Sequence, residues 1–169
     1  MAGKRDALEV AGTGAGQGGQ ALAGSLVLAG LVALVYVQTA GFGFLHFDDP
    51  DYVTANAMVR SGLSWAGIRN AFSLDVSHTY WHPLTWLSLM LDVQLFGVSA
   101  AALHLVNAGL HALAAILFFL FLRSATGRPL ESLLAAAVFA AHPLAVEAVA
   151  WVAERKTVLS GCLAMAALL

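Results

Sequence analysis

The 169-residue chain is 60% hydrophobic and 11% charged, with a formal net charge of -2 and one cysteine. A soluble domain carries about 25% charged residues, so this composition belongs to a chain that meets lipid. Near-neutral charge removes the basic footprint that nucleic acid requires, and the lone Cys162 excludes an internal disulfide and reads as packing. The expected class is an all-α, polytopic integral membrane protein.

Residues 1–20 hold Lys4, Arg5, Asp6 and Glu9 and then "GTGAGQGGQ", with too little apolar surface to offset chain entropy, and read as a disordered tail. Gly14, Gly16 and Gly19 match G-x-G-x-x-G, but no strand precedes them and no dinucleotide-unit helix pattern follows, so no phosphate loop is assigned. Ala21 to Leu45 contains no charged residue. At about 1.5 Å per residue a helix there spans about 37 Å, enough for the hydrocarbon core. The run exceeds the apolar core of a signal peptide and lacks a clear A-x-A site, so 21–45 is read as an uncleaved first span.

Residues 46–100 read as a large loop region outside the membrane core. His46 to His82 holds Asp48, Asp49, Asp51, Arg60, Arg69, Asp75 and Tyr80, groups that lipid would leave unsatisfied. Within it "SGLSWAGIRNAF" sets Leu63, Ile68 and Phe72 behind Ser64, a candidate N-cap, and predicts a short interfacial helix. Trp65, Trp81 and Trp86 suit headgroup depth. Pro83 to Phe96 is apolar apart from Asp92 and some hydroxyl and amide groups, too short for a span, and predicts a re-entrant or interfacial helix.

The second span, 101–122, ends at Arg123 and Arg128, which flank a turn containing Gly127 and Pro129. His104, Asn107 and His111 lie within about 60° on one face of it, by the 3.6-residue period. Lacking a third strong metal ligand, they predict hydrogen bonds between helices. A short or kinked third span, 130–142, breaks at His142 and Pro143. Residues 143–156 predict an extracytoplasmic helix that gathers Glu147, Trp151 and Glu154 on one side, with Arg155 close by. Residues 157–169 begin a truncated fourth span, and the chain reads as a fragment of a longer protein. Lys4, Arg5, Arg123 and Arg128 would be cytoplasmic together, with the acidic loop on the opposite side.

Three polar groups stand out. Asp48 and Asp49 are adjacent, so in an extended segment one can face a substrate while the other binds a neighbour. A carboxylate beside a low-dielectric wall can serve as general base toward a hydroxyl; the plainer use is capping the turn around Pro50. His82, just before a proline-started helix, suits donation to a phosphate or an N-cap role. "ERK", Glu154 to Lys156, offers two cations beside a carboxylate, as an anionic lipid headgroup requires, or forms a solvated helix end.

"FDDPDYV", "WHPLTWLSLMLD", "LFG", "HLVNAGLHA" and "HPLAVEAVAWVAERKTVLS" together resemble the N-terminal membrane part of bacterial tetratricopeptide-repeat (TPR) proteins. Those are similar to the cadherin-directed, TPR-containing transmembrane O-mannosyltransferases and, more distantly, to the protein O-mannosyltransferases of glycosyltransferase fold class C (GT-C). Two positions depart from the pattern: Thr157 stands where an aspartate is expected after "ERK", and Leu89 where a histidine is usual. The resemblance implies GT-C-like N-terminal helices in a bacterial inner membrane, a polyprenyl-phosphate sugar as donor and a protein hydroxyl as acceptor. Asp48 and Asp49 are then the catalytic pair, base and supporting partner, while Arg155, Lys156 and His82 hold the donor phosphate. No metal or cofactor is assigned, and a divalent cation is left open. The competing class is a noncatalytic membrane scaffold; a transporter ranks last, because the span interiors are nearly uncharged.

Overall fold

The computed structural model describes residues 2–74 and 81–169, with side chains described from Gly18 onward. The expected loop between 75 and 80 lies outside the described residues. Among those described, every regular element is helical.

Helix α1 (Ala2–Tyr36) runs into a 3-10 turn, Val37–Gly41, and the backbone of the expected tail continues α1 back to Ala2. Gly18–Gly41 is its apolar, membrane-length part. The helix tightens where Gln38 and Thr39 donate to the carbonyls of Val35 and Tyr36, at 2.9 and 2.7 Å. Side chains that bond the preceding turn compete with the helix ladder, so residues 42–45 leave as non-helical chain rather than completing the expected span to Leu45.

One π-helical turn, Pro50–Thr54, leads into α2 (Ala57–Arg60) and α3 (Trp65–Ala71). The Asn56 and Ser64 side chains accept the Val59 and Gly67 N–H groups at 3.1 and 3.0 Å, satisfying donors that a helix start leaves orphaned. Pro83 opens α4 (Pro83–Phe96), and Gly97, at φ 68, ends it. Helix α5 (Ala100–Thr126) starts at Ser99, whose hydroxyl accepts the Ala102 N–H, and stops at Gly127, whose φ of 67 few other residues adopt. Helix α6 (Pro129–Ala141) is about 20 Å long by its rise, short of a hydrocarbon core of about 30 Å. It ends because Pro143 disfavours helical backbone at His142. Then come α7 (Ala145–Ala150), a 3-10 turn Val152–Glu154, and α8 (Arg155–Ala167).

Helix α5 is the axis of the fold and packs on α1, α6 and α8. Its length passes through two cores. Leu103 belongs to a loop-side core with Tyr52, Val53, Trp86, Leu89, Met90 and Val152, where each fully buried Leu or Met contributes about 1.5–3 kcal/mol relative to exposure to water. Ala108, Ala115 and Phe119 belong to a second core with Leu28, Val32, Ala136 and Val158. Here α1 comes so close that a Cβ on Gly24 would lie 2.6 Å from the Phe119 ring. The outward faces stay apolar: Leu34 is 78% exposed and Val138 65%. Only 22% of the α1 window and 33% of the α5 window is covered by the chain itself, so two helices are long and apolar enough to cross a membrane and show lipid-like surface outward.

Candidate active site

Of the two readings of the acidic segment, extended or turn, the backbone is a turn: Asp49 is helical at φ -59, ψ -31, and the Tyr52 N–H donates to the Asp48 carbonyl at 3.0 Å. Adjacent side chains still separate. Asp49 is fully buried; its Oδ2 accepts the Leu45 N–H at 2.7 Å and its Oδ1 the Ala153 N–H at 3.0 Å. It therefore ties the exit of α1 to the turn before α8. Asp49 has no surface to offer an acceptor. Asp48 is half-buried, and its charge reaches Lys156. Asp51 is exposed, and its carbonyl takes the Asn56 amide at 2.8 Å, a local role.

Lys156 sits at the start of α8. Its Nζ donates to Glu154 Oε1 at 2.6 Å and to the Ala153 carbonyl at 3.2 Å, and lies 5.2 Å from the centre of the Tyr52 ring. That ring stacks on Trp86, centroids 5.0 Å apart. The second oxygen of Glu154 accepts the Thr157 hydroxyl at 2.6 Å. Burial works against the Lys156 ammonium, but the Glu154 hydrogen bond and the charges of Tyr52, Glu154 and Asp48 outweigh it and raise its pKa. Burial likewise works against the Glu154 carboxylate, and the Lys156 and Thr157 hydrogen bonds outweigh it, holding Glu154 below the usual range. His82 precedes α4 without capping it by its side chain. Burial first, then the Lys156 charge, pull its pKa down, with Glu154 opposing, so His82 belongs to the same electrostatic neighbourhood.

Arg155 goes the other way. It is fully buried, paired with Asp92 at 2.6 Å, and donates to the Ser88 hydroxyl at 2.7 Å, the Leu103 carbonyl at 3.1 Å and Asn107 Oδ1. Arg155, expected to hold a donor phosphate, has its guanidinium turned into the interior: successive helical residues point about 100° apart, so Lys156 stays part-exposed while Arg155 pins α8 to α4 and α5. Lys156 touches Glu154 and the Tyr52 ring, Asp48 and His82 lie within electrostatic reach of this group, and Asp49 and Arg155 are fully buried. Sequence reasoning missed the Arg155 network, although Asp92, the one charged residue of the apolar α4, signals it: a buried charge needs a partner.

The α5 face bonds carbonyls of other segments, and in one case, His111, of another helix as its spacing predicts. His104 bonds the Gly43 carbonyl at 3.4 Å, Asn107 donates to the Trp151 carbonyl at 2.9 Å, and His111 bonds the Ala140 carbonyl at 3.0 Å, where α6 ends with orphan acceptors. Leu89 is core, and Thr157 steadies Glu154. Among the described residues, no three His, Cys, Asp or Glu side chains gather as metal ligands.

No protein-family model and no solved structure matches the chain. Curated relatives do. Protein O-mannosyl-transferase Tmtc2 of Drosophila melanogaster is 37% identical over 135 residues, 74% of this chain and 14% of that protein. Tmtc1 of the same organism is 36% identical over 140 residues, 79% of this chain and 16% of its own length. TMTC1 of Mus musculus is 32% identical over 151 residues, 85% of this chain and 16% of that protein. The chain spans about one-sixth of the length of the curated relatives it matches, and over that stretch it resembles proteins named protein O-mannosyl-transferase.

Proposed function

We propose that the chain belongs to a membrane glycosyltransferase that moves a sugar from a polyprenyl-phosphate donor to a protein hydroxyl at the extracytoplasmic face. The observation that supports this reading is the Lys156 ammonium, part-exposed beside Glu154 and the Tyr52 ring and within electrostatic reach of the half-buried Asp48, in a chain with two membrane-length helices. Chemistry on a lipid-carried sugar needs a base for the aqueous acceptor and a cation for the phosphate at that boundary.

In this mechanism Asp48 takes the proton of the acceptor hydroxyl. The oxygen bonds the anomeric carbon from the face opposite the phosphate. The bond from that carbon to the phosphate oxygen breaks, its electron pair stays on the phosphate, and the configuration inverts. Lys156, with His82, holds the phosphate as its charge grows. Asp49 and Arg155 act behind them: the first fixes the Asp48 turn to Ala153, the second fixes the start of α8. In the same reading, α1, α5 and the short α6 and α8 are GT-C-like helices of a bacterial inner membrane protein, the N-terminus and the Arg123–Arg128 turn are cytoplasmic, and a TPR region belongs to the whole protein. The relatives' printed names support the transfer of mannose to protein.

The test uses full-length protein purified with a polyprenyl-phosphate sugar and an acceptor protein. Asp48→Asn keeps the shape and removes the base, so transfer falls at least about 10²-fold while folding and insertion persist. Transfer at the wild-type rate in this variant refutes the mechanism. No transfer by wild type with any such donor makes the noncatalytic scaffold the better account.

A further inference from the structure

Lys156 is not a bare cation. Its Nζ has Glu154 at 2.6 Å, the Ala153 carbonyl at 3.2 Å and the Tyr52 ring at 5.2 Å, and an ammonium has three N–H groups to give. Residues two apart do not face each other on a regular α-helix. Glu154 and Lys156 meet because a 3-10 turn ends at Glu154 and α8 begins at Arg155. The pair is reachable from outside: the Lys156 side chain is 30% exposed and that of Glu154 19%.

We propose that Glu154 is a built-in competitor for the phosphate that Lys156 holds, leaving the ammonium when the donor binds and reclaiming it when the product phosphate departs. This rests on Lys156 being the phosphate-holding residue of the proposed reaction. The charges explain the need. A polyprenyl-phosphate sugar is a phosphodiester with one negative charge. Breaking its bond to the sugar leaves a phosphomonoester, which carries about -1.5 to -2 at pH 7. An unopposed ammonium grips that product more strongly than the donor, and turnover stalls at release. A carboxylate 2.6 Å from the ammonium weakens the grip on both ligands and gives the cation a partner once the product has gone. Thr157, hydrogen-bonded to the other Glu154 oxygen at 2.6 Å, keeps the competitor close while it is displaced.

The experiment measures binding of polyprenyl phosphate, without sugar, to full-length protein in lipid nanodiscs by calorimetry. Glu154→Gln should bind it about threefold to fivefold more tightly, the range that a part-exposed ion pair supports. Thr157→Val should shift binding the same way by less, and it decides the question if Glu154→Gln melts early. Lys156→Met should weaken binding and abolish the effect of Glu154→Gln in the double variant. Unchanged or weaker binding in a folded Glu154→Gln, with Lys156→Met still weakened, overturns the competitor and leaves the phosphate site standing. Undiminished binding in Lys156→Met, or none by wild type, overturns the phosphate site and the competitor with it.

Discussion

Replacing Arg155 with alanine separates a structural cation from a substrate-binding one. Arg155 is fully buried, and Asp92, its ion-pair partner 2.6 Å away, is 5% exposed. Removing one member of a buried pair leaves the other charge without compensation, at a cost of about 3–5 kcal/mol. The Ser88, Asn107 and Leu103 groups lose donors as well, but these share one network with the pair and do not add independently. With a melting shift of about 2–4 °C per kcal/mol for domains of this size, Arg155→Ala should melt about 6–20 °C below wild type. Tryptophan fluorescence of purified full-length protein during heating in detergent reads this directly. Arg155→Met with Asp92→Leu, which removes both charges and keeps apolar volume, should recover much of the loss. If Arg155→Ala melts with wild type and loses only affinity for the donor, Arg155 is a phosphate ligand and the network described above is wrong.

Asp49→Asn should lower stability by about 1–3 kcal/mol, because an amide offers one acceptor oxygen where the carboxylate serves two backbone N–H groups; Asp48→Asn should melt within about 0.5 kcal/mol of wild type, and equal melting losses in the two would refute the division between them. The pKa of His82 is lowered in the folded protein, so the unfolded chain binds the extra proton first as pH falls below the ordinary histidine value of about 6.5. Stability is therefore lost on the acid side, and His82→Gln should flatten that part of the melting-versus-pH profile. Across neutral pH the Glu154–Lys156 pair should add no slope: Glu154, held low, loses its contribution only as pH falls through its depressed pKa, and Lys156, held high, only as pH rises through its raised one. Cysteines placed at the exposed Ser61 and Ser124 should differ in labelling of intact cells, the first reacting with an impermeant reagent and the second not; the reverse pattern inverts the proposed orientation.

Much of this architecture can be read from local chemistry. Ser64 before an apolar helical pattern caps α3, His142 before Pro143 ends α6, and the polar α5 face at three- and four-residue spacing finds carbonyls on neighbouring segments. Each depends on residues close in the chain or on one helix period. The exit of α1 is harder to place, because nothing charged marks it: the apolar run continues to Leu45 while hydroxyl and amide side chains at 38 and 39 already bend the backbone. Asp49 is harder still. Its second partner, the Ala153 N–H, is 104 residues away, and no periodicity in the first loop announces a turn that arrives so late in the chain.

The division of labour in "ERK" follows from one feature of that late turn. Had α7 run unbroken into α8, Glu154 and Lys156 would point about 200° apart by the helical period, and their contact would be lost. The chain instead breaks at Trp151, where ψ is 123, turns once as a 3-10 segment and restarts as α-helix at Arg155. The break frees the Trp151 carbonyl to accept the Asn107 amide and leaves the Ala153 N–H for Asp49. It thereby anchors the turn from two sides while Arg155 is drawn inward to Asp92. A cation pulled into the core fixes the direction of its neighbour, and Lys156 is left part-exposed with Glu154, its counter-ion, beside it. Changing the length of the turn by one residue should therefore disturb Arg155 and Lys156 together. An alanine inserted after Ala153 is expected to lower the melting temperature as Arg155→Ala does and to weaken polyprenyl-phosphate binding as Lys156→Met does. Retention of either property would show that the two cations are placed independently, against the coupling that this junction imposes.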